Sequence, residues 1–147
     1  MDKICVKDTM LALTDDELES STREYLRFLR EAMVIENEPI EIDELAQAKF
    51  QADLASGFEQ PVHAAEAKLK TISGLDFGPK EAVEPGAVVC VQGRHFAIGV
   101  STARFFCDGT EMMGISTNAP FYAAIEGLKA GDVAEFNDRE FEVRAVY

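Results

Sequence analysis

The apolar residues of this chain follow two different spacings, and the change falls near Gly74. Before it, apolar residues recur every three or four positions, which is the spacing of one face of a helix. After it they alternate with polar residues, which is the spacing of a strand with one buried face. Two spacings in separate halves predict an α+β protein, with a helical domain at 1–75 and a sheet domain at 76–147.

The helical half divides around Pro39, because the residue before a proline is pushed out of the α region. Residues 14–17 have the S/T-x-x-E form of a capping box, which predicts a helix start at Thr14, while a start in the 7–12 region stays open. The second helix is predicted from near Ile42. Gly57 and Pro61 fall inside it and predict a kink or a break.

The second helix carries a heptad seam, in which apolar residues are spaced four and three apart: Phe58, Val62, Ala65, Leu69 and Ile72. Such a seam is typical of a coiled coil. Two apolar stripes joined by a short turn therefore predict an antiparallel coiled-coil hairpin over about 14–75. A hairpin that closes its own seam needs no partner helix, so we expect a monomer.

The sheet half begins after a Gly- and Pro-rich segment, 73–86, which predicts a linker. Residues 87–101, 103–116 and 132–147 each predict two strands joined by a tight turn. We expect an antiparallel sheet whose last strand puts Phe141, Val143, Ala145 and Tyr147 on one face. A short helix from Pro120 to about Glu126, ended by Gly127, should cover one face of this sheet.

Composition limits the classes of function. The chain has 27 acidic and 14 basic residues and a net charge of -13. Free nucleic acid would repel it, so it can act beside DNA or RNA only when a partner holds it there. Neither a signal peptide nor an apolar run long enough for a bilayer is readable, so a cytoplasmic location without a membrane partner is expected. The three cysteines, with no C-x-x-C spacing, predict reduced, mostly buried thiols.

The C-terminal residues carry a recognisable pattern. Ile115, Ser116, Asn118 and Pro120 precede the short helix, Gly131 and Asp132 follow it, and the chain closes with a hairpin and Tyr147. This pattern resembles the C-terminal domain of the bacterial GreA/GreB transcript-cleavage factors. Residues 66–69, "EAKL", also resemble the end of that family's second coiled-coil helix. With the order of the domains, the resemblance spans most of the chain.

The resemblance implies an FKBP-like C-terminal domain that docks on RNA polymerase near its secondary channel, and a coiled coil that enters the channel. Acidic residues at the coiled-coil tip would help the polymerase hold a second Mg²⁺ and a water, so that the 3′ end of backtracked RNA is hydrolysed. The protein would meet RNA only inside that complex. It would bind no metal stably alone and would not itself be an enzyme.

The tip contains acids that suit this chemistry. Residues 31–48 hold six acids and no Lys or Arg. Mg²⁺ prefers oxygen ligands and usually takes one or two protein carboxylates. Ungapped alignment from "EAKL" places the family's two tip acids at Glu41 and Glu44, which become the expected catalytic and metal-binding residues. A shift of two residues would use Asp43 instead.

Other interpretations of the same residues stay open. The tip departs from the family pattern, because Ile40 and Leu45 replace a Gly and an Asn, which favours a channel-binding regulator that does not promote cleavage. The tip acids could also serve only to stabilise a helix start. Asn118 and Pro120 are expected to bind the polymerase, or else to form only a turn and a helix cap.

Two rival functions come from other classes. An FKBP-like domain also suits a prolyl isomerase or chaperone, but the sequence supplies few aromatic residues for such a pocket. A coiled-coil adaptor without a polymerase partner is the other rival. Phe105, Phe106 and Phe121 are expected in the core, and His63 and His95 are given no role.

Overall fold

The computed structural model describes the backbone of residues 1–36 and 44–147, and the side chains of residues 1–31, 57 and 59–147. Two long helices precede a six-stranded sheet that carries one short helix, so the predicted α+β class is confirmed. The elements are α1 Lys3–Glu36, α2 Glu44–Gly74, β1 Val88–Val91, β2 Arg94–Gly99, β3 Arg104–Cys107, β4 Thr110–Ser116, α3 Pro120–Ile125, β5 Val133–Phe136 and β6 Arg139–Val146.

The chain divides into two compact units. One contains Met1–Leu13 together with Leu69–Tyr147, and the other contains Thr14–Lys68. Within the second unit, Lys68 of α2 binds Glu17 of α1 with Nζ and Oε2 3.2 Å apart. The coiled-coil part of the prediction is compatible with this pairing. The predicted domain division into 1–75 and 76–147 stays a prediction.

Helix α1 begins eleven residues before the predicted start at Thr14. The Asp2 carboxylate caps it, because Asp2 Oδ1 accepts hydrogen bonds from the backbone N–H groups of Ile4 and Cys5, each at 3.1 Å. Thr14 lies inside the helix and is only 1% exposed. The capping-box interpretation is therefore wrong, since burial of the first turns of α1 extends the helix beyond a local signal.

Helix α2 is continuous through both residues that predicted an interruption, so the predicted break is wrong. Pro61 has no N–H to donate to the carbonyl of Gly57, four residues earlier. Both residues are exposed. Water can therefore bind the freed carbonyl, and the cost of the proline is lower at this surface position than in a core.

The predicted linker is part of the first unit. Phe77 and Val83 are buried, and the backbone N–H of Val83 donates to the carbonyl of Leu128 at 2.8 Å. The Val83 carbonyl in turn accepts from the N–H of Gly127 at 2.9 Å. Glycine and proline content predicted a linker here, but two apolar side chains and paired backbone groups fix this segment beside the sheet.

The sheet is mixed, so the prediction of an antiparallel sheet is wrong in one pairing. Its strand order is β3-β4-β2-β1-β6-β5, and β4 lies between β3 and β2. After β2 the chain moves to the edge, forms β3, and returns as β4 beside β2 in the same direction. All other strand pairs are antiparallel. Local hairpin signals predict neighbours along the chain and cannot show that β4 inserts between two earlier strands.

The three predicted tight turns are confirmed. Each has two central residues, 92–93, 108–109 and 137–138, and all six have φ between 48° and 82°. Two successive residues with positive φ define the type I′ turn, whose twist matches that of the strands. Glycine, asparagine and aspartate adopt these conformations at low cost and supply five of the six positions, and Gln92 is the sixth.

Strand β6 contains a β-bulge, which changes which of its residues share a face. Val91 pairs with Val143 but the preceding Cys90 pairs with Ala145, so one extra residue lies on β6. Phe141, Val143 and Val146 consequently pack in the same core cluster. The prediction that Ala145 and Tyr147 lie on that face is wrong, because a bulge reverses the alternation beyond it.

Each face of the sheet has its own core. The start of α1 and the end of α2 contribute Val6, Met10 and Ile72, all fully buried, to the cluster on one face. Helix α3 contributes Tyr122 and Ile125 to the cluster on the other face. The prediction that the short helix covers one face is confirmed. The opposite face is covered by the two long helices within the first unit.

Lys3 connects the start of α1 to the segments next to two inner strands, just before β1 and just after β6. Its Nζ donates to the carbonyl of Gly86 at 2.7 Å and to Tyr147 O at 2.8 Å. Burial, with a smaller effect of the neighbouring Lys80 charge, lowers the pKa of Lys3 to about 8.

Among the described helices, none has a stretch both long and apolar enough to span a bilayer.

Candidate functional site

The acidic residues predicted to act at the tip fall outside what the structure describes in detail. Glu41 and Asp43 lie among the undescribed residues 37–43. Glu44 is the first residue of α2, but its side chain belongs to the undescribed set. In the described part of the chain no cluster of three or more His, Cys, Asp or Glu could hold a metal ion. The proposed Mg²⁺ ligands therefore stay a prediction.

The second predicted site, the turn between β4 and α3, is described fully. Ser116 fixes the turn, because its Oγ accepts a hydrogen bond from the N–H of Asn118 at 3.1 Å. Its carbonyl accepts another from the N–H of Ala119 at 3.0 Å. Asn118 and Pro120 are exposed. The turn thus presents both predicted contact residues to solvent on a fixed backbone.

Asn118 is not the helix cap that the alternative interpretation requires. The N-cap of α3 is Ala119, with φ -69° and ψ 136°, and no side chain caps the helix. An extended conformation is what the residue before a proline prefers. Pro120 does occupy the first turn of the helix, where its missing N–H has no partner to lose. The capping explanation therefore applies to Pro120 but not to the Asn118 side chain.

Helix α3 is held on its inner side and at its end. Tyr122 and Ile125 are buried, and Gly127 follows with φ +76° and donates its N–H to the Val83 carbonyl. Burial raises the pKa of the Tyr122 hydroxyl, and the charge of Glu126 adds to this effect. The short helix lies firmly on the core, so its exposed N-terminal turn has a fixed position.

The Gly131–Asp132 part of the pattern has a structural role. Gly131 has φ +94° and donates its N–H to the Val143 carbonyl. Asp132 Oδ2 accepts from the N–H of Lys129 at 2.8 Å, and the Asp132 carbonyl accepts from the N–H of Val143 at 2.8 Å. These bonds attach the segment after α3 to β6. The two motif residues thereby help to hold the segment after α3 against the sheet.

The three phenylalanines expected in the core have different environments. Phe105 is buried, Phe121 is half-buried and Phe106 is 67% exposed. Adjacent residues of a strand point to opposite faces, so Phe105 and Phe106 on β3 cannot both face one core. The prediction for Phe106 is wrong. The alternation of faces along an edge strand is the sequence signal that one of the two side chains is exposed.

Phe121 belongs to a group of aromatic rings on the α3 side of the sheet. Its ring centroid lies 5.4 Å from that of Phe96, 5.5 Å from Phe136 and 5.9 Å from Phe141. These separations and the tilted orientations are those of rings packed on each other. The sequence analysis expected few aromatic residues for a pocket. In the structure four aromatic rings lie together, but they form a packed cluster.

An open cleft of about 440 Å³ lies beside the hairpin of β3 and β4. Its lining includes Arg94, Arg104, Glu111 and Met113. Arg104 and Glu111 form an exposed ion pair with an N–O distance of 3.8 Å. The sequence analysis did not identify this cleft, because it depends on the parallel pairing of β2 with β4. It shares no lining residue with the 116–120 turn.

His63 has partners that the sequence analysis missed. Its Nε2 lies 3.0 Å from Oε1 of Glu59 and its Nδ1 lies 3.6 Å from Oε2 of Glu66. The hydrogen bond to Glu59 is the main cause that raises the pKa of His63. The spacings, four before and three after on one helix, are those of neighbouring side chains on a helix face. These residues form an exposed pairing within α2, and nothing about it indicates a metal site.

All three thiols are free, as predicted, and Cys90 and Cys107 are buried while Cys5 is half-buried. Cys5 and Cys107 lie together on the face of the sheet that α1 covers. Burial, followed by a hydrogen bond with Cys5, raises the pKa of Cys107 to about 11. At neutral pH the Cys107 side chain is therefore a thiol.

No protein-family model matches the chain, and no curated protein matches it. Solved structures do show likeness. A structure of the transcription factor Gfh1 is 20% identical, with a TM-score of 0.38, over 94% of this chain and 93% of that one. Gfh1 of Thermus aquaticus is 17% identical, with a TM-score of 0.36, over 91% of each chain.

A third structure is that of GreA factor homolog 1 (Gfh1) of Thermus thermophilus. It is 20% identical, with a TM-score of 0.35, over 96% of this chain and 94% of that one. These likenesses extend over most of each chain at low identity and low TM-score. The functional argument therefore rests on the residues of this chain.

Proposed function

We propose that this protein is a Gre-like transcription factor that binds bacterial RNA polymerase through the secondary channel. The observation that carries the proposal is the 116–120 turn. The residues that resemble the family's docking motif, Asn118 and Pro120, are exposed on a backbone fixed by Ser116. The other motif residues, Gly131 and Asp132, hold the neighbouring helix in place.

The order of the elements supports the same proposal. Two helices of 34 and 31 residues precede the sheet and are connected through residues 37–43. A helix rises about 1.5 Å per residue, so each is on the order of 45–50 Å long. Helices of that length suit the proposed entry of a coiled coil into a channel.

The proposed activity is stimulation of RNA cleavage by the polymerase. Glu41 and Glu44 would share a second Mg²⁺ with the polymerase and orient a water toward the phosphodiester of the backtracked RNA, with Asp43 as the alternative ligand. Carboxylate oxygens suit Mg²⁺, and a second cation stabilises the attacking and leaving oxygens of such a displacement. The bond cleavage would belong to the polymerase, and this chain would supply only ligands.

A stalled, backtracked elongation complex with end-labelled RNA and Mg²⁺ tests this proposal. Wild-type protein should shorten the RNA, and Glu41→Gln/Glu44→Gln should lower the cleavage rate on the order of 100-fold, since charge-stabilising groups at a reacting centre are worth about that much. The matched control is Glu36→Gln/Glu38→Gln, which removes the same charge from the same acidic run but outside the aligned pair. It should cleave like wild type.

A second candidate function, a channel-binding regulator without cleavage activity, is favoured by Ile40 and Leu45 in place of the family's Gly and Asn. It predicts that wild-type protein slows or protects the complex and leaves the RNA at full length. In that case the acid substitutions would not change the RNA products. Equal cleavage by wild type and by Glu41→Gln/Glu44→Gln would contradict the proposed role of the two acids.

A further inference from the structure

The thiols of Cys5 and Cys107 are joined through one hydroxyl group. Thr9 Oγ1 lies 3.9 Å from Cys5 Sγ and 3.5 Å from Cys107 Sγ. Cys5 and Thr9 are one turn apart on α1, and Cys107 is the last residue of β3. Both thiols belong to the first unit and to the same core cluster. The fold therefore brings together two cysteines that are far apart in sequence.

We propose that Cys5 and Cys107 form a redox site, which a peroxide converts into an intramolecular disulfide that ties the first turn of α1 to the edge strand β3. Three features of the site favour this reaction. Both sulfurs lie within hydrogen-bonding distance of the same Thr9 hydroxyl, Cys5 is half-buried and so open to a small oxidant, and Cys107 is 3% exposed and so shielded from competing thiols.

The chemistry balances with hydrogen peroxide as the oxidant. The Cys5 sulfur attacks one peroxide oxygen, the O–O bond breaks, and one water leaves, giving a sulfenic acid at Cys5. The Cys107 sulfur then displaces the sulfenic hydroxyl, which leaves as a second water with the Cys107 proton. Two thiols and one peroxide thus give one disulfide and two waters. A dithiol such as dithiothreitol reverses the oxidation.

Thr9 has a defined part in the second step. Its hydroxyl hydrogen-bonds Cys107, and this bond acts to lower the pKa of Cys107 against the larger effect of burial. A hydroxyl donor stabilises the anionic sulfur as the proton leaves. Thr9 is therefore a positioning residue for the thiol that closes the disulfide.

The disulfide would also stabilise the first unit. It would close a loop of roughly 100 residues, and a cross-link over so long a loop removes much of the conformational entropy of the unfolded chain. We expect the oxidised protein to melt at least about 5 °C above the reduced protein. Cys90 offers an internal comparison, because it is also buried but lies on β1, outside this pair.

The test is peptide mapping of the full-length protein after treatment with hydrogen peroxide. Trypsin leaves the three cysteines in three different peptides, 4–7, 81–94 and 105–129. The expected product is peptide 4–7 joined to 105–129, with the loss of two hydrogens, together with the rise in melting temperature. Cys5→Ser should abolish this product and Cys90→Ser should leave it unchanged. These two variants test the proposal without a Cys107→Ser variant, which would have to fold with a hydroxyl in a buried position.

Three results would overturn the proposal. The first is full alkylation of both Cys5 and Cys107 after peroxide treatment. The second is a disulfide that includes Cys90 or links two chains. The third is oxidation that stops at a sulfinic acid on Cys5. None of these readouts depends on RNA polymerase, so the redox site and the proposed function can fail independently.

Discussion

Replacing Gly86 with alanine should lower the free energy of unfolding by about 4 kcal/mol or more, or prevent folding altogether. Gly86 has φ +91°, and a Cβ there would lie 2.0 Å from the Asp76 carbonyl oxygen. That oxygen is backbone, so it cannot rotate away. The Gly86 N–H also donates to the Ile98 carbonyl at 2.9 Å, which fixes the segment against β2. Urea denaturation of the full chain measures the change.

The matched control is Gly93→Ala. Gly93 also has a positive φ, +82°, but nothing lies within 4 Å of its Cβ position. Its substitution should cost only the strain of a left-handed residue, about 1–2 kcal/mol. The difference between the two variants isolates the collision with Asp76. Equal losses in the two variants would mean that residues 75–87 do not pack beside the sheet as described.

Met10→Ala should lower the free energy of unfolding by about 2–4 kcal/mol, because it leaves a cavity in a close-packed core. Met10 has 0% exposure and belongs to the cluster that includes Val88, Phe105 and Met112 of the sheet. The capping box predicted a helix start after this residue, at Thr14, with a start in the 7–12 region left open, so the substitution also tests whether the beginning of α1 is part of the first unit. Urea denaturation with an unchanged m-value measures the effect.

Ile4→Ala is the control for Met10→Ala. Ile4 lies on the same helix but is 75% exposed. Its loss should change the free energy of unfolding by no more than about 0.5 kcal/mol. If the two alanine variants were equally stable, the first turns of α1 would not pack on the sheet. The contact between Thr9 and Cys107 would then be lost as well.

Much of the fold follows from local patterns. The two helices, the six strands and the three tight turns were predicted because spacing and turn residues act over a few positions. The parallel pairing of β2 with β4 and the bulge in β6 were not, since both depend on which strands meet across the sheet. Burial also overrides local signals, as Thr14 shows within α1 and Val83 shows within the segment taken as a linker.

The candidate site could be predicted only in part. Asn118 and Pro120 are exposed, as residues that bind a partner must be, and their role in binding stays a prediction. The meeting of Cys5 with Cys107 required the tertiary fold, since the two residues are distant in sequence. Alternation along a strand indicates that Phe105 and Phe106 face opposite ways, but the tertiary fold decides which of them is buried. The tip acids stay a prediction from the resemblance.

Binding to RNA polymerase tests the central claim most directly. The full-length protein, labelled on its amino groups, would be titrated with bacterial core RNA polymerase and its fluorescence anisotropy followed. We predict saturable binding, and a Kd at least about tenfold weaker for Asn118→Ala/Pro120→Ala, which corresponds to about 1.4 kcal/mol. Glu126→Ala, at the exposed end of α3, should bind like wild type. No saturable binding, or equal Kd values for the wild type and the double variant, would contradict the account.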